Sequence, residues 1–311
     1  MSALTMQAIR VHRYGGPEQL KLEQQPRPAA REGEVLVRVH AAGVNPIDWK
    51  TRQGFMKDFF PMTFPYIPGI DVAGEVEGVG FGVTTLKIGQ AVFGRCTTGT
   101  YAEYITASEE LLAPKPSTAS FAEAAAIPTG ATTAWQALFD EGNLQAGQRV
   151  LIVGAAGGLG AFAVQLAKWK GAQVIGTTST ANLEFVRSLG ADQVIDYTTT
   201  QVESVVQDVD LVLDGVGGAS LFSSLTTIRR GGTLISLAEQ PPQEQARACG
   251  VRAMMIAART DRSILQTVAQ LIDEGQLNVI VGKAFSLSEA QQAHECSQSG
   301  HGRGRIVLHV N

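Results

Sequence analysis

Cysteine is nearly absent: Cys96, Cys249 and Cys296 are the whole complement, and none lies within four residues of another. No disulfide framework and no CxxC zinc knuckle can be built from that spacing. A basic surplus is lacking too. The formal charge is −4, which argues against nucleic acid as a partner. No apolar run reaches the roughly 18 residues of a membrane span, and the opening MSALTMQAIRVHRYGG carries no cationic-then-apolar leader. A cytoplasmic, reduced setting, away from membranes, is therefore expected. Charged residues make up only 17% against 44% hydrophobic, a globular composition rather than a disordered one. What is plentiful is glycine, 34 of 311 residues, or about 11% against a usual value of about 7%.

The first third of the chain reads as short strands. Val35, Val37 and Val39 alternate with Arg38 and His40, the period of a half-buried strand. Ala73–Val79, Ala91–Phe93 and Tyr101–Thr106 follow between Gly/Pro turns, suggesting a small β-barrel-like domain. Phe121–Phe139 is alanine-rich and helical. From Arg149 onward strands (150–153, 173–177, 193–196, 210–214, 233–237) alternate with helices (159–170, 183–189, 220–228), which implies a parallel, doubly wound α/β sheet. Two more helices (263–274, 288–298) and a strand (305–310) close the chain. The expected domains are residues 1–125 completed by 261–311, and residues 126–260.

The segment Leu151-Ile152-Val153-Gly154-Ala155-Ala156-Gly157-Gly158-Leu159-Gly160 is an apolar strand ending in a small-residue turn that opens a helix. On the dinucleotide fingerprint, Ala155, Gly157 and Gly160 take the three glycine places. Gly157 lets backbone approach a pyrophosphate, Gly160 lets helix pack on strand, and the helix N-terminus offers amide donors. A tight turn without a ligand is the alternative. The next strand ends Thr177-Thr178-Ser179-Thr180, without the acid that usually holds an NAD ribose. A hydroxyl-rich turn can accept a 2′-phosphate, so NADPH is favoured with NADH possible; the same hydroxyls can simply cap the following helix.

The combination Ala41-Ala42-Gly43-Val44-Asn45-Pro46-Ile47-Asp48, Pro68-Gly69-Ile70-Asp71-Val72-Ala73-Gly74, the Ala155–Gly160 loop and Leu189-Gly190-Ala191-Asp192 resembles the medium-chain dehydrogenase/reductase superfamily. Within it, the chain is similar to the zinc-independent quinone oxidoreductase (ζ-crystallin-like) and enone reductase branch. The resemblance implies a GroES-like catalytic domain interrupted by a Rossmann domain. It also implies a homodimer, with the 233–237 strand edge as one candidate surface. The zinc ligands of the alcohol-dehydrogenase branch fall on Asn45, Ile70 and about Thr129, which cannot supply the three donors that zinc needs. The five histidines show no ligand spacing, and surface positions are expected for most of them.

What the resemblance implies is NADPH-dependent reduction of a quinone or of the C=C bond of an α,β-unsaturated carbonyl, without metal. An NADP(H)-binding sensor or structural protein is the alternative. Asn45 falls beside the nicotinamide, where its amide could donate to a substrate carbonyl, or it is only an Asn-Pro turn former. Asp48 would orient that loop. Lys50 is a candidate to stabilise an enolate, or a solvated surface lysine. Thr132 matches a threonine facing the nicotinamide, or a helix cap. Gly158 and Leu159 belong to the pyrophosphate loop, Val216 to a loop beneath the nicotinamide ribose, and Leu237 and Ala238 lie near the carboxamide. Thr178, Ser179 and Tyr197 fit the 2′-phosphate pattern, while Asn182 stands where the family usually has lysine. Phe55, Phe59, Phe60, Phe64 and Tyr66 would wall an apolar pocket or pack in the core. A short-chain dehydrogenase is excluded, since no tyrosine has lysine four residues on.

Overall fold

The structure is a computed structural model and describes residues 4–259, 261–300 and 302–310. The chain divides into two compact units, Met1–Thr129 with Thr260–Gly275 and Val279–Asn311, and Gly130–Arg259 with Gln276–Asn278.

The first unit opens with β1 (Thr5–Arg10) and β2 (Lys21–Pro26), an antiparallel pair of their own. The long strand β3 (Glu34–Val44) follows, and its Val35, Val37 and Val39 point into the core as their alternation predicts. Helix α1 (Pro46–Arg52) starts at once, because Pro46 presets the helical φ and the Asp48 carboxylate takes the Asn45 N–H at 2.8 Å. Then come β4 (Asp71–Val79), β5 (Ala91–Arg95), β6 (Tyr104–Ser108), β7 (Leu112–Pro114) and α2 (Phe121–Ala126). Strand β3 is the spine of this sheet, pairing antiparallel with both β4 and β6.

Helix α3 (Pro128–Trp135) leads to the second unit: β8 (Arg149–Val153), α4 (Gly160–Trp169), β9 (Gln173–Thr178), α5 (Leu183–Ser188), β10 (Gln193–Asp196), β11 (Val209–Asp214), α6 (Ala219–Leu225), β12 (Ile228–Ser236), α7 (Gln243–Cys249) and β13 (Arg252–Met255). Its six strands are all parallel, in the order β10-β9-β8-β11-β12-β13. The chain winds outward from β8 through β9 to β10, then crosses to β11 on the other side. That reversal creates a crevice at the carboxyl ends of β8 and β11, where doubly wound sheets bind ligands.

Two expectations fail here. The helix expected over 220–228 stops at Leu225, and β12 already begins at Ile228. Gly231 and Gly232 lie within β12, at the irregularity where its register against β11 shifts. The 233–237 strand is also no sheet edge, because β13 pairs along its outer side.

The chain finally returns to the first unit with α8 (Arg262–Asp273), β14 (Val281–Ser286), α9 (Ala290–Gln298) and β15 (Arg305–His309). Strand β15 lies antiparallel to β3, giving the order β14-β15-β3-β4-β5-β7 with β6 also on β3. Among the described residues no helix is long and apolar enough to cross a membrane.

Candidate active site

In the second unit the carboxyl ends of four strands meet in one set of loops. Gly154 leaves β8 with φ +79°, a conformation that favours glycine. The Gly154 N–H donates to Thr177 Oγ1 at 3.2 Å, and the Ala155 N–H to the Thr177 carbonyl at 2.9 Å. Those bonds tie the turn to β9. Ala155 is fully buried, while Gly157, Gly158 and Leu159 are half-buried. A Cβ on Gly160 would run into the Gly154 carbonyl and the Ala155 backbone, so α4 packs directly on the turn. On Gly157 it would meet only the Gly154 carbonyl, at 3.3 Å.

Asp214 ends β11 fully buried and shapes the next loop. Its Oδ1 accepts the N–H groups of Val216 and Gly217 at 2.7 and 2.8 Å, and its Oδ2 accepts the Ser220 hydroxyl at 2.5 Å. Val216 is 62% exposed, with its Cγ2 only 3.0 Å from where a Gly154 Cβ would stand. A Gly217 Cβ would lie 2.9 Å from the Ala238 Cβ, and the Leu237 N–H donates to the Asp214 carbonyl at 2.9 Å. The structure thus brings Gly154, Val216, Leu237 and Ala238 together. Thr132 is 1% exposed on α3 and bonds the Arg259 carbonyl at 3.5 Å. Its helix packs against the glycine turn through Gly130, whose Cβ position is 3.1 Å from the Gly158 carbonyl.

At the end of β9, Thr178 is buried, Ser179 and Asn182 half-buried and Tyr197 exposed. The Tyr197 N–H donates to the Thr178 carbonyl at 3.1 Å, so these residues share one edge of the sheet. Sequence reasoning missed Asp196 beside them. Its carboxylate accepts Thr180 Oγ1 at 2.5 Å and Thr198 Oγ1 at 2.6 Å, and these hydroxyls hold its pKa below the usual carboxylate range. The signal was available as the acid ending the following strand.

The first unit holds a buried polar cluster around Asn45, which is 1% exposed. Its Nδ2 donates to Asp71 Oδ2 at 3.0 Å, and its Oδ1 accepts from Arg305 at 2.7 Å. Arg305 also bonds Asp71 Oδ2 at 3.0 Å, and Thr129 gives Asp71 its hydroxyl at 2.6 Å and its N–H at 3.1 Å. A second chain of bonds begins at Asp48. Tyr101 donates its hydroxyl to Asp48 Oδ2 at 3.0 Å, His294 Nε2 lies 3.2 Å from that hydroxyl, and Arg52 Nε donates to His294 Nδ1 at 3.2 Å. With Nδ1 accepting, the ring proton sits on Nε2 and donates to Tyr101. Burial is the main cause that pushes Asp48 up to about 7 and His294 down to about 3. His294 is fully buried, an exception to the surface positions expected for most of the histidines, while His12 and His309 are exposed; His301 lies outside the described residues.

Lys50 is half-buried on α1, with its Nζ 5.7 Å from the Trp49 ring centroid. The five aromatic residues do not form one wall. Phe55, Phe59 and Phe60 are exposed, whereas Phe64 and Tyr66 pack on each other and against the core. No group of three or more His, Cys, Asp or Glu among the described residues is placed to hold a metal ion.

Residues 31–117 match the model of the alcohol dehydrogenase GroES-like domain, and residues 189–308 that of a zinc-binding dehydrogenase. The metal in the second description does not carry over, because Ile70 has no donor atom and Asn45 and Thr129 are bonded to Asp71. The chloroplastic quinone-oxidoreductase homolog of Spinacia oleracea is 34% identical, with 99% of each chain covered. The chloroplastic NADPH-dependent alkenal/one oxidoreductase of Arabidopsis thaliana is 34% identical over 95% of this chain and 77% of that protein. Among solved structures, Escherichia coli quinone oxidoreductase complexed with NADPH superimposes with a TM-score of 0.90 at 29% identity, covering 99% of this chain and 100% of that one. With a GroES-like unit, a parallel Rossmann sheet and relatives matched end to end, the chain belongs to the zinc-independent, quinone-oxidoreductase branch of the medium-chain dehydrogenase/reductase superfamily.

Proposed function

We propose that this protein is an NADPH-dependent reductase of quinones or of the C=C bond of α,β-unsaturated carbonyls, working without a metal. The carrying observation is the cradle at the carboxyl ends of β8 and β11. Gly157 leaves a side open that a Cβ would fill, a Gly218 Cβ would meet nothing within 4 Å, and α4 begins at Gly160. A pyrophosphate fits such a turn, which offers backbone N–H groups and the positive end of a helix dipole. The relatives named for quinone and alkenal/one reduction, and the one complexed with NADPH, support the same reading.

When bound, the cofactor supplies a hydride. This chain's residues supply position and field. Ala155, Gly157, Gly158, Leu159 and Gly160 take the pyrophosphate. Asp214 fixes the loop that carries Val216, and Leu237 and Ala238 border the carboxamide. Thr178, Ser179, Asn182 and Tyr197 receive the 2′-phosphate. The hydroxyl-rich turn favours the 2′-phosphate and hence NADPH, while the uncharged Asn182 and the nearby Asp196 carboxylate weaken that preference, so NADH is still accepted. Asn45 donates an amide hydrogen to the substrate carbonyl, Asp48 holds the loop, Lys50 favours the developing enolate, and Thr132 lies against the nicotinamide. The catalytic unit is residues 1–125 with 261–311, the nucleotide unit residues 126–260, and the active protein a homodimer.

The test mixes purified protein with NADPH or NADH and a panel of quinones and enones, following loss of reduced-cofactor absorbance. Turnover with a higher kcat/KM for NADPH is expected. Tight NADPH binding without turnover of any acceptor would show a sensor instead.

A further inference from the structure

The Asn45 side chain is clamped between opposite charges. A guanidinium N–H of Arg305 points at its Oδ1, at 2.7 Å, and its Nδ2 gives one hydrogen to the Asp71 carboxylate at 3.0 Å. Both charged groups are buried, Asp71 at 0% and Arg305 at 6% exposure. They pair with each other at 3.0 Å, and the Arg305 Nε is spent on the Ala126 carbonyl at 3.0 Å. Thr129 occupies Asp71 from another side. Every member is therefore held in one orientation, and the dielectric around it is low.

That arrangement has an electronic consequence. A cation on the amide oxygen and an anion on one N–H both favour the resonance form with negative oxygen and positive nitrogen. Hydrogen bonds to ionised groups are about twice as strong as neutral ones and polarise their neighbours. The second Nδ2 hydrogen of Asn45 becomes the better donor for it.

We propose that Arg305, with Asp71, is a positioning and polarising residue that turns Asn45 into a strong hydrogen-bond donor toward the acceptor's carbonyl oxygen. This rests on the reading of the protein as a quinone or enone reductase. In an enone, the β-carbon gains the hydride and its electron pair. The C=C pair shifts to the bond between the α-carbon and the carbonyl carbon, and the carbonyl oxygen takes the negative charge. A proton from water then closes the α-carbon, leaving saturated ketone and NADP+. Asn45 meets the oxygen at the point where its charge is greatest, so the effect belongs to kcat rather than to substrate binding.

The experiment has two arms on the full-length protein. In the first, 15N NMR of the ligand-free wild type reads the Asn45 side-chain amide, assigned by its loss in Asn45→Ser. Its nitrogen is expected clearly downfield of exposed asparagines and to move back toward them in Arg305→Lys. Lysine keeps the charge but not the planar fork that reaches Ala126, Asn45 and Asp71 together. In the second arm, Arg305→Lys is expected to lower kcat for an enone by about tenfold or more, since loss of a whole oxyanion donor costs about a hundredfold or more. Its KM and NADPH dissociation constant should stay within about twofold. A merely structural role would lower the melting temperature and leave this split unmoved. An Asn45 resonance at the position of exposed asparagines overturns the proposal in the wild type alone, whether or not the variant folds. So does an active wild type beside an Arg305→Lys variant of equal kcat. A wild type that reduces no acceptor overturns the reductase reading, and the catalytic half of the proposal with it, a pattern distinct from both.

Discussion

At the scale of single residues, the groups that matter most in the first unit carry no local signal. His294 sits in a helix of otherwise ordinary composition, and Arg305 opens a strand near the end of the chain. Sheet pairing, which sets Asp71 opposite Gly43 and Ile306 opposite Val44, brings Arg305 to Asn45 and Asp71. His294 on α9 reaches Asp48 through Tyr101 and bonds Arg52 on α1. Asn45 and Asp48 were legible as one loop; their partners, from 26 to 260 residues away in sequence, were not. The burial has a measurable signature in pH. Asp48 rises from 3.8 to about 7, so its contribution to stability is present at low pH and is lost as pH climbs through about 7. His294 falls from 6.5 to about 3, so its contribution is present at high pH and is lost as pH drops through about 3. Between roughly pH 4 and 6.5 the two slopes oppose each other and cancel. His294→Gln keeps an acceptor for Arg52 and a donor for Tyr101 but removes one of the two titrations. Its stability should then fall relative to wild type as pH rises through that window, by on the order of 1 kcal/mol per pH unit. Urea unfolding near the two ends of the window reads this directly, and parallel wild-type and variant curves would refute it.

At the scale of elements, periodicity was the dependable guide. The alternating valines of β3 and the apolar runs of β8 and β11 were readable because burial forces them. Weaker elements were not. Strands β1, β2, β13 and β14 are partly exposed, so little burial is written into their sequences. The turn between β8 and α4 was the most legible piece, and its glycines separate folding from binding. Gly160→Ala drives a Cβ into backbone that cannot yield and should cost about 1–3 kcal/mol by overpacking. Gly157→Ala meets one carbonyl at 3.3 Å on its protein side, so the melting temperature should drop far less. NADPH affinity should fall by about tenfold or more, because the methyl stands where the pyrophosphate approaches. Thermal melts and fluorescence titration of NADPH check both substitutions. Unchanged NADPH affinity in Gly157→Ala would remove the pyrophosphate from this turn.

At the scale of the whole molecule, the six-stranded sheet of the second unit leaves β13 as one outer strand. Sheet edges are normally blunted by charge, proline, a bulge or a cover. This one carries Arg252 and a Met255 that is 42% exposed. A two-fold axis can pair the strand antiparallel with its own copy, which satisfies both edges and closes the assembly at two chains. Centring that axis between Ala253 and Met254 sets Met255 opposite Arg252 of the partner subunit. Directly opposed like charges destabilise a strand pair, and opposite charges support it. If the proposed homodimer forms through this edge, Met255→Arg should therefore shift the protein from dimer to monomer, while Met255→Glu, an equally polar change at the same place, should leave it dimeric. Sedimentation velocity on the three proteins decides. If both substitutions dissociate the dimer, the register is wrong; if neither does, or the wild type is already monomeric, β13 is not where two chains meet.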